Sequence, residues 1–209
     1  PVQTVSHALY PVPEALKSEL LLAVLKETPT GRVLVFTRTK RRACRLSARL
    51  AKNGYRVSAL QGDMKQNHRQ SAIDGFRGGK YDILVATDIA ARGIDVSEIS
   101  HVINFDMPDT PDAYTHRIGR TGRACNTGEA YTFVVRTDEP AVRQIEKILG
   151  ARIERRRLAG FAEGADTADP ASAGPQRGPP PNRREPAARF DRGAAGRRRR
   201  ARACGRSAQ

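Results

Sequence analysis

Short β-branched runs alternate along this chain with stretches of helical spacing, and no other feature narrows its possible folds as far. Val33–Phe36, Val57–Leu60, Ile83–Ala86, His101–Phe105 and Tyr131–Val135 have the length and branching of buried strands. Between them, apolar residues recur at helical intervals: Leu16, Leu20 and Val24; Ala43, Leu46 and Leu50; Ile73 and Phe76; Val142, Ile145 and Leu149. Asn53-Gly54 and Gly78-Gly79 punctuate the pattern as turns. Strands that alternate with helices of this length are joined by right-handed crossovers, which predicts an α/β fold. Its sheet is mostly parallel and carries helices on both faces. In such sheets ligands collect beyond the carboxyl ends of the strands, so the chemistry is expected just after these runs.

The pattern stops near Phe161. Residues 162–209 contain no Leu, Ile, Val or Met, and Phe190 is their only aromatic residue. Such a stretch cannot bury enough surface to offset the entropy of ordering. The chain therefore divides into a folded domain over 1–158 and a disordered Arg/Gly/Pro-rich tail over 159–209. Residues 162–209 hold eleven arginines against five acids, with Arg197–Arg200 the densest run. This run reads either as an RNA-tethering arm or as a solvated low-complexity end.

The net charge is +15, from 37 basic and 22 acidic residues. Of this, +9 falls in residues 1–161 and +6 in the rest, so domain and tail share the basic character. An excess this large favours a polyanionic partner, because each phosphate neutralised releases condensed counterions. No apolar stretch approaches the roughly 18–20 residues of a membrane span, so no membrane partner is expected. No stretch has the form of a signal peptide. A start at Pro1 rather than Met is what a piece of a longer protein would show, or a chain whose initiator Met has been removed. Cys44, Cys125 and Cys204 lie far apart, as do His7, His68, His101 and His116. Metal sites need closer spacing, so no metal and a reducing, cytoplasmic location are expected.

Four segments follow strands or open helices. VFTRTKRRA places Thr37, Arg38, Thr39 and Lys40 at a strand end. QGDMKQNHR places Gly62 and Asp63 in a turn, with Gln66 and Arg69 on the helix behind it. ATDIAARGID runs from Ala86 to Asp95, and HRIGRTGR from His116 to Arg123. Glycine lets a sugar-phosphate chain approach the backbone, and threonine hydroxyls at strand ends can bond phosphate oxygens. HRIGRTGR is the most specific, with Arg117, Arg120 and Arg123 three residues apart. On a helix that spacing gathers guanidinium groups on one face. Gly119 and Gly122 imply a short, broken helix whose backbone meets something closely, since glycine costs about 1 kcal/mol inside a helix. Converging arginines suit a transferring phosphoryl group.

Taken together, VLVFTRT, QGDMKQNHR with its QxxR pair, LVATDIAARGID and HRIGRTGR resemble the motifs of the C-terminal RecA-like domain of DEAD-box RNA helicases, of superfamily two, in the family's order and spacing. The resemblance covers about residues 1–158. HALYPVPEALKSELL and EPAVRQIEKILGARIERR are similar to the bacterial RhlE-like subgroup. The resemblance implies that Arg120 and Arg123 are arginine fingers for the γ-phosphate of ATP. It implies that Asp95 bonds the ribose, that Gly93 gives close backbone approach, and that His116 meets the partner domain. Thr39, Gly62, Asp63, Gln66, Arg69 and Thr87 would hold the RNA backbone, while Arg92 and Arg117 would orient rather than bind. Gln61 departs from the pattern, standing where His usually precedes Gly-Asp.

The sequence contains no GxxxxGK[ST] loop, no DEAD tetrapeptide and no SAT motif. Gly75–Tyr81 includes a Gly-Lys pair, but Tyr81 cannot supply a magnesium hydroxyl. In the family those elements, and the magnesium that accompanies ATP, belong to an N-terminal RecA-like domain. The expected function is thus one half of an ATP-dependent RNA helicase, with these residues inactive alone. Two other readings are a non-catalytic RNA-binding or annealing module acting through the tail, and a DNA helicase domain of the same superfamily. His116, where several relatives carry Gln, favours the DEAD-box branch.

Overall fold

The computed structural model describes residues 5–28, 31–91, 94, 96, 99–121 and 128–158. Within them, strands and helices alternate as β1 (Val5–Pro11), α1 (Lys17–Glu27), β2 (Arg32–Phe36), α2 (Lys40–Lys52), β3 (Val57–Leu60), α3 (Gln66–Arg77), β4 (Ile83–Ala86), α4 (Asp88–Ala91), β5 (Ile99–Asn104), α5 (Pro111–Ile118), β6 (Gly128–Val134), α6 (Glu139–Leu149) and β7 (Glu154–Arg155). The sheet order is β3-β4-β2-β5-β6-β1-β7, and every strand pair is parallel. The expected RecA-like architecture is present. The tail predicted over 159–209 lies outside the described residues.

Successive strand side chains point to opposite faces, and here both faces are covered. Val33, Val35, Ile83, Val85, Ile103 and Phe133 meet α1 and α2 through Leu20, Leu21, Val24, Leu46 and Leu50. Leu34, Phe36, Leu84, Val102 and Ala130 meet α3, α5 and α6 through Ile73, Phe76, Tyr114, Ile118, Val142 and Ile145. Double coverage explains why the central strands β2 and β4 read as unbroken apolar runs rather than alternating ones. It also fixes their register, since a slip of one residue would exchange the two cores.

Local chemistry sets the helix ends. Thr39 caps α2 by accepting the N–H of Arg42 at 3.2 Å, and Thr110 caps α5 by accepting that of Ala113 at 3.1 Å, with Pro111 as the first helical residue. The predicted turns after α2 and α3 need left-handed residues, and Gly54 (φ 86°) and Gly79 (φ 76°) supply them. Gly75 has a different reason. A Cβ there would lie 2.7 Å from the Tyr81 ring, so the Gly75–Tyr81 stretch is a packed helix end.

β1 has no counterpart among the predicted strands. It pairs with β6 from Val5↔Gly128 to Pro11↔Val134, and on its other side with β7 at Ala8 and Leu9. β7 is two exposed charged residues long, which blunts the sheet edge. No helix among the described residues is long and apolar enough to cross a membrane.

Candidate functional site

Three neighbouring strands, β3, β4 and β2, end side by side, and the residues that follow them form a shelf. After β2, Thr37 is buried and its N–H reaches the Ala86 carbonyl at 2.9 Å, tying β2's end to β4's. Thr39 follows, exposed, at the start of α2. After β3, the Gln61 side chain accepts the Asp63 N–H at 2.9 Å and the Met64 N–H bonds the Gln61 carbonyl at 3.3 Å. Gln61 therefore builds the Gly62-Asp63 turn from within, which gives this departure from the family pattern a local role. A Cβ placed on Gly62 would meet nothing within 4 Å, so nothing inside the domain requires glycine there. Lys40 forms an ion pair with Asp63, linking the two strand ends. After β4, the Thr87 N–H bonds the Leu60 carbonyl at 3.3 Å, and its carbonyl accepts from Ala91, opening α4. Gln66 and Arg69 stand in the first turns of α3 directly behind the Gly62 turn. Thr39, Gly62, Asp63, Gln66, Arg69 and Thr87 thus converge from three separate segments.

Beside the shelf lies a buried polar seam between α4 and α5. Arg117 is 3% exposed. Its Nε and Nη2 donate to the two Asp88 carboxylate oxygens at 2.7 and 2.6 Å, and Nη1 donates to Asn104 Oδ1 at 3.2 Å and the Asp106 carbonyl at 2.8 Å. Its guanidinium stacks over the Phe36 ring at 5.0 Å. Asn104 Nδ2 in turn donates to Thr132 Oγ1 at 3.0 Å. Further along this face, His7 Nδ1 and the Tyr114 hydroxyl lie 2.8 Å apart. Burial raises the Tyr114 phenol well above its ordinary range and lowers the His7 imidazole below its own.

The opposite side of β5's end carries a hub that sequence reading missed. Asp106 is 2% exposed and accepts the Arg38 backbone N–H at 2.8 Å and the Arg42 guanidinium. Lys17, itself 3% exposed, approaches it at 3.7 Å and pairs with Glu14 at 2.9 Å. Burial alone would raise the Glu14 carboxyl, but Lys17 and Arg42 hold it below the usual range. Burial likewise opposes the Arg42 charge, and Asp106 with Glu14 raises its pKa nonetheless. One signal was available. Lys17 stands a turn before Leu20 and Leu21 on the apolar face of α1, where an unpaired lysine would be costly.

HRIGRTGR needs a correction. Arg117 and Arg120 do not share a helix face, because α5 starts at the Thr110-Pro111 cap and ends at Ile118. Arg117 is on the helix and points inward. Arg120 is past the helix end, half-buried, with Nη1 donating to the Ile94 carbonyl at 3.0 Å. Thr121 Oγ1 donates to the carbonyls of Ile99 and Ser100, at the amino end of β5. The segment therefore runs away from the carboxyl edge where all four segments were expected, and the shelf and Arg120 are separate places. Gly119 closes the helix at φ −67° and ψ 3°, values open to any residue, and only carbonyls of its own helix lie near it. His116 is exposed on α5, one residue from the Arg117 anchor. Arg92, Gly93, Asp95, Gly122 and Arg123 lie outside the described residues.

Over residues 14–125, more than half of the chain, the sequence matches the model of the helicase conserved C-terminal domain. It is 41% identical over 154 residues to the ATP-dependent rRNA helicase RRP3 of Candida glabrata, covering 74% of this chain and 31% of that one. The chain spans about a third of the length of the curated relatives it matches. Among solved structures it resembles the E. coli DEAD-box protein SrmB bound to regulator of ribonuclease activity A, with TM-score 0.69, 36% identity, and coverage of 75% of this chain and 93% of that one. It also resembles S. cerevisiae Dbp5 bound to RNA and ADP BeF3, with TM-score 0.70, 33% identity, and coverage of 77% and 43%. With the parallel sheet and the four motifs in place, this chain belongs to the helicase conserved C-terminal domain family, as a C-terminal RecA-like domain of the DEAD-box RNA helicase type.

Proposed function

We propose that this domain is one wall of an ATP-driven cleft that grips RNA by its backbone. The gathering of Thr39, Gly62, Asp63, Gln66, Arg69 and Thr87 at three adjacent strand ends carries this reading. The turn at Gly62 leaves open space outside the fold, and hydroxyls and helix starts surround it, which suits a sugar-phosphate chain. Backbone contacts position a strand without reading its bases, so sequence preference is weak. S. cerevisiae Dbp5, part of which this chain resembles, was solved bound to RNA and ADP BeF3, ligands of the kinds proposed here.

ATP, with its magnesium, is the substrate held on an N-terminal RecA-like domain. When the two domains close, Arg120 and Arg123 reach the γ-phosphate and stabilise the charge that develops as it transfers. Asp95 bonds the ribose, Gly93 lets the backbone approach, and His116 contacts the other domain, coupling nucleotide to RNA. Closure bends the strand on the shelf and opens a short duplex, and hydrolysis resets the cleft. Joining this chain to a first RecA-like domain and supplying matched RNA and DNA duplexes tests the reading. ATP-dependent opening of RNA alone is expected, whereas equal opening of DNA would refute it.

A further inference from the structure

Helix α2 is the most one-sidedly charged element of the domain. Its thirteen residues include six cations, Lys40, Arg41, Arg42, Arg45, Arg49 and Lys52, and no acid. Three have carboxylate partners elsewhere: Lys40 with Asp63, Arg42 with Glu14 and Asp106, and Arg49 with Glu19. Arg41, Arg45 and Lys52 are exposed and have no ion-pair partner among the described residues. At about 100° per residue these three fall within about 40° of one another, opposite the buried Ala43, Leu46 and Leu50. They form a straight ridge of about 16 Å along the helix, at about 1.5 Å per residue.

Such a ridge has a cost. Arg41 faces Arg45, and Arg45 faces Arg49, at i,i+4 spacing, where like charges destabilise a helix by roughly 0.2–0.5 kcal/mol each. A merely solvated face would interleave acids, as α6 does with Glu139 and Glu146. The ridge also starts at a particular place. Thr39 caps this helix, and Lys40 bonds Asp63 across the shelf, so Arg41 continues the shelf and Lys52 marks the ridge's far end.

We infer that the outer face of α2 is an auxiliary phosphate track, which receives the RNA flanking the strand held on the shelf. This rests on the shelf being an RNA site. The track engages longer RNA through Arg41, Arg45 and Lys52, without base recognition. It anchors the flank on this domain while the shelf bends the strand, so that the bend is transmitted to the duplex rather than lost by sliding.

The experiment compares the full chain with its Arg41→Gln/Arg45→Gln/Lys52→Gln variant, binding short oligouridine that covers the shelf and long oligouridine that reaches along α2. The arginines of residues 162–209 are present in both proteins, so the difference reports α2 alone. Short-RNA affinity should be unchanged, while the gain with length disappears. The salt dependence for long RNA should shallow by about 2, from three contacts at roughly 0.7 each. An Arg41→Lys/Arg45→Lys variant, which keeps the charge, should retain the gain. Equal long-RNA affinity and salt slope in wild type and triple variant would overturn the track. Loss of short-RNA binding in the triple variant would also overturn it, since the residues would then belong to the shelf. If short RNA fails to bind the wild type at all, the shelf reading falls first, which keeps the two failures distinct. Melting temperature should hold or rise once the like charges are removed.

Discussion

The shelf at the strand ends and the seam between α4 and α5 are neighbours in the chain, Thr87 belonging to one and Asp88 to the other, yet they treat polar groups in opposite ways. On the shelf, hydroxyls, amides and cations face outward, joined by light contacts such as the exposed Lys40–Asp63 pair. In the seam, Arg117 is closed in by a carboxylate, an amide, a carbonyl and an aromatic ring. The same contrast recurs within one motif. Arg117 is closed in on every side, whereas Arg120, three residues later, is half-buried past the helix end with Nη1 donating to the Ile94 carbonyl. Residue type and spacing do not separate these two arginines, but burial does: one is enclosed in the core and the other half-exposed.

The sharpest way to break that contrast is through the two proposed fingers. In a protein that joins this chain to a first RecA-like domain, Arg120→Ala or Arg123→Ala should lower RNA-stimulated ATP hydrolysis by about 10³–10⁵-fold. Steady-state phosphate release reads the effect, and normal turnover would remove the finger assignment. Arg117→Ala should act on the fold instead. It strands Asp88, Asn104 and the Asp106 carbonyl, and about 2–4 kcal/mol of stability should be lost, discounted because Asp88 is half-exposed. Arg117→Lys should rescue little, since lysine lacks the two-pronged donor geometry. Urea denaturation measures both, and a neutral Arg117→Ala would erase the distinction between seam and shelf.

Gly62→Leu tests the shelf from the other side. The space around it is open, so stability should change by no more than about 0.5 kcal/mol. RNA affinity should nevertheless fall roughly tenfold, or about 1.4 kcal/mol. An unchanged affinity in a binding titration would mean that the turn does not face RNA. The smallest effect concerns His7 beside Tyr114. Burial keeps its pKa below the ordinary value, so the unfolded chain takes up this proton first as the pH falls. Its contribution to stability is complete above about pH 6.5 and declines as the pH drops below that. Melting curves across that window should slope less for His7→Gln than for the wild type.

Much of this was legible in the sequence, for reasons that differ by element. β2 and β4 announce themselves because burial on both faces demands unbroken apolar runs. The shelf was legible because its motifs follow those runs directly. β1 was not, because VSHALYP gains its strand character from β6 and β7, more than a hundred residues away. α5 was not among the expected helical stretches, because HRIGRTGR draws attention to its arginines, while the cap that sets the helix lies earlier, at Thr110. Ion pairs between distant segments, such as Arg117–Asp88 and Arg42–Asp106, have no periodicity to betray them.

The place of β1 also bears on how the molecule comes into being. Among the described strands the earliest, β1, is inserted between the two latest, so on a ribosome it waits, unpaired by them, until β6 and β7 have been made. Contacts this far apart along the chain slow folding, because the loop must close before the pairing is gained. The sheet is therefore assembled from its middle outward, with β1 among the last of the described strands to pair. Weakening β1 should delay completion of the whole domain rather than fray one margin.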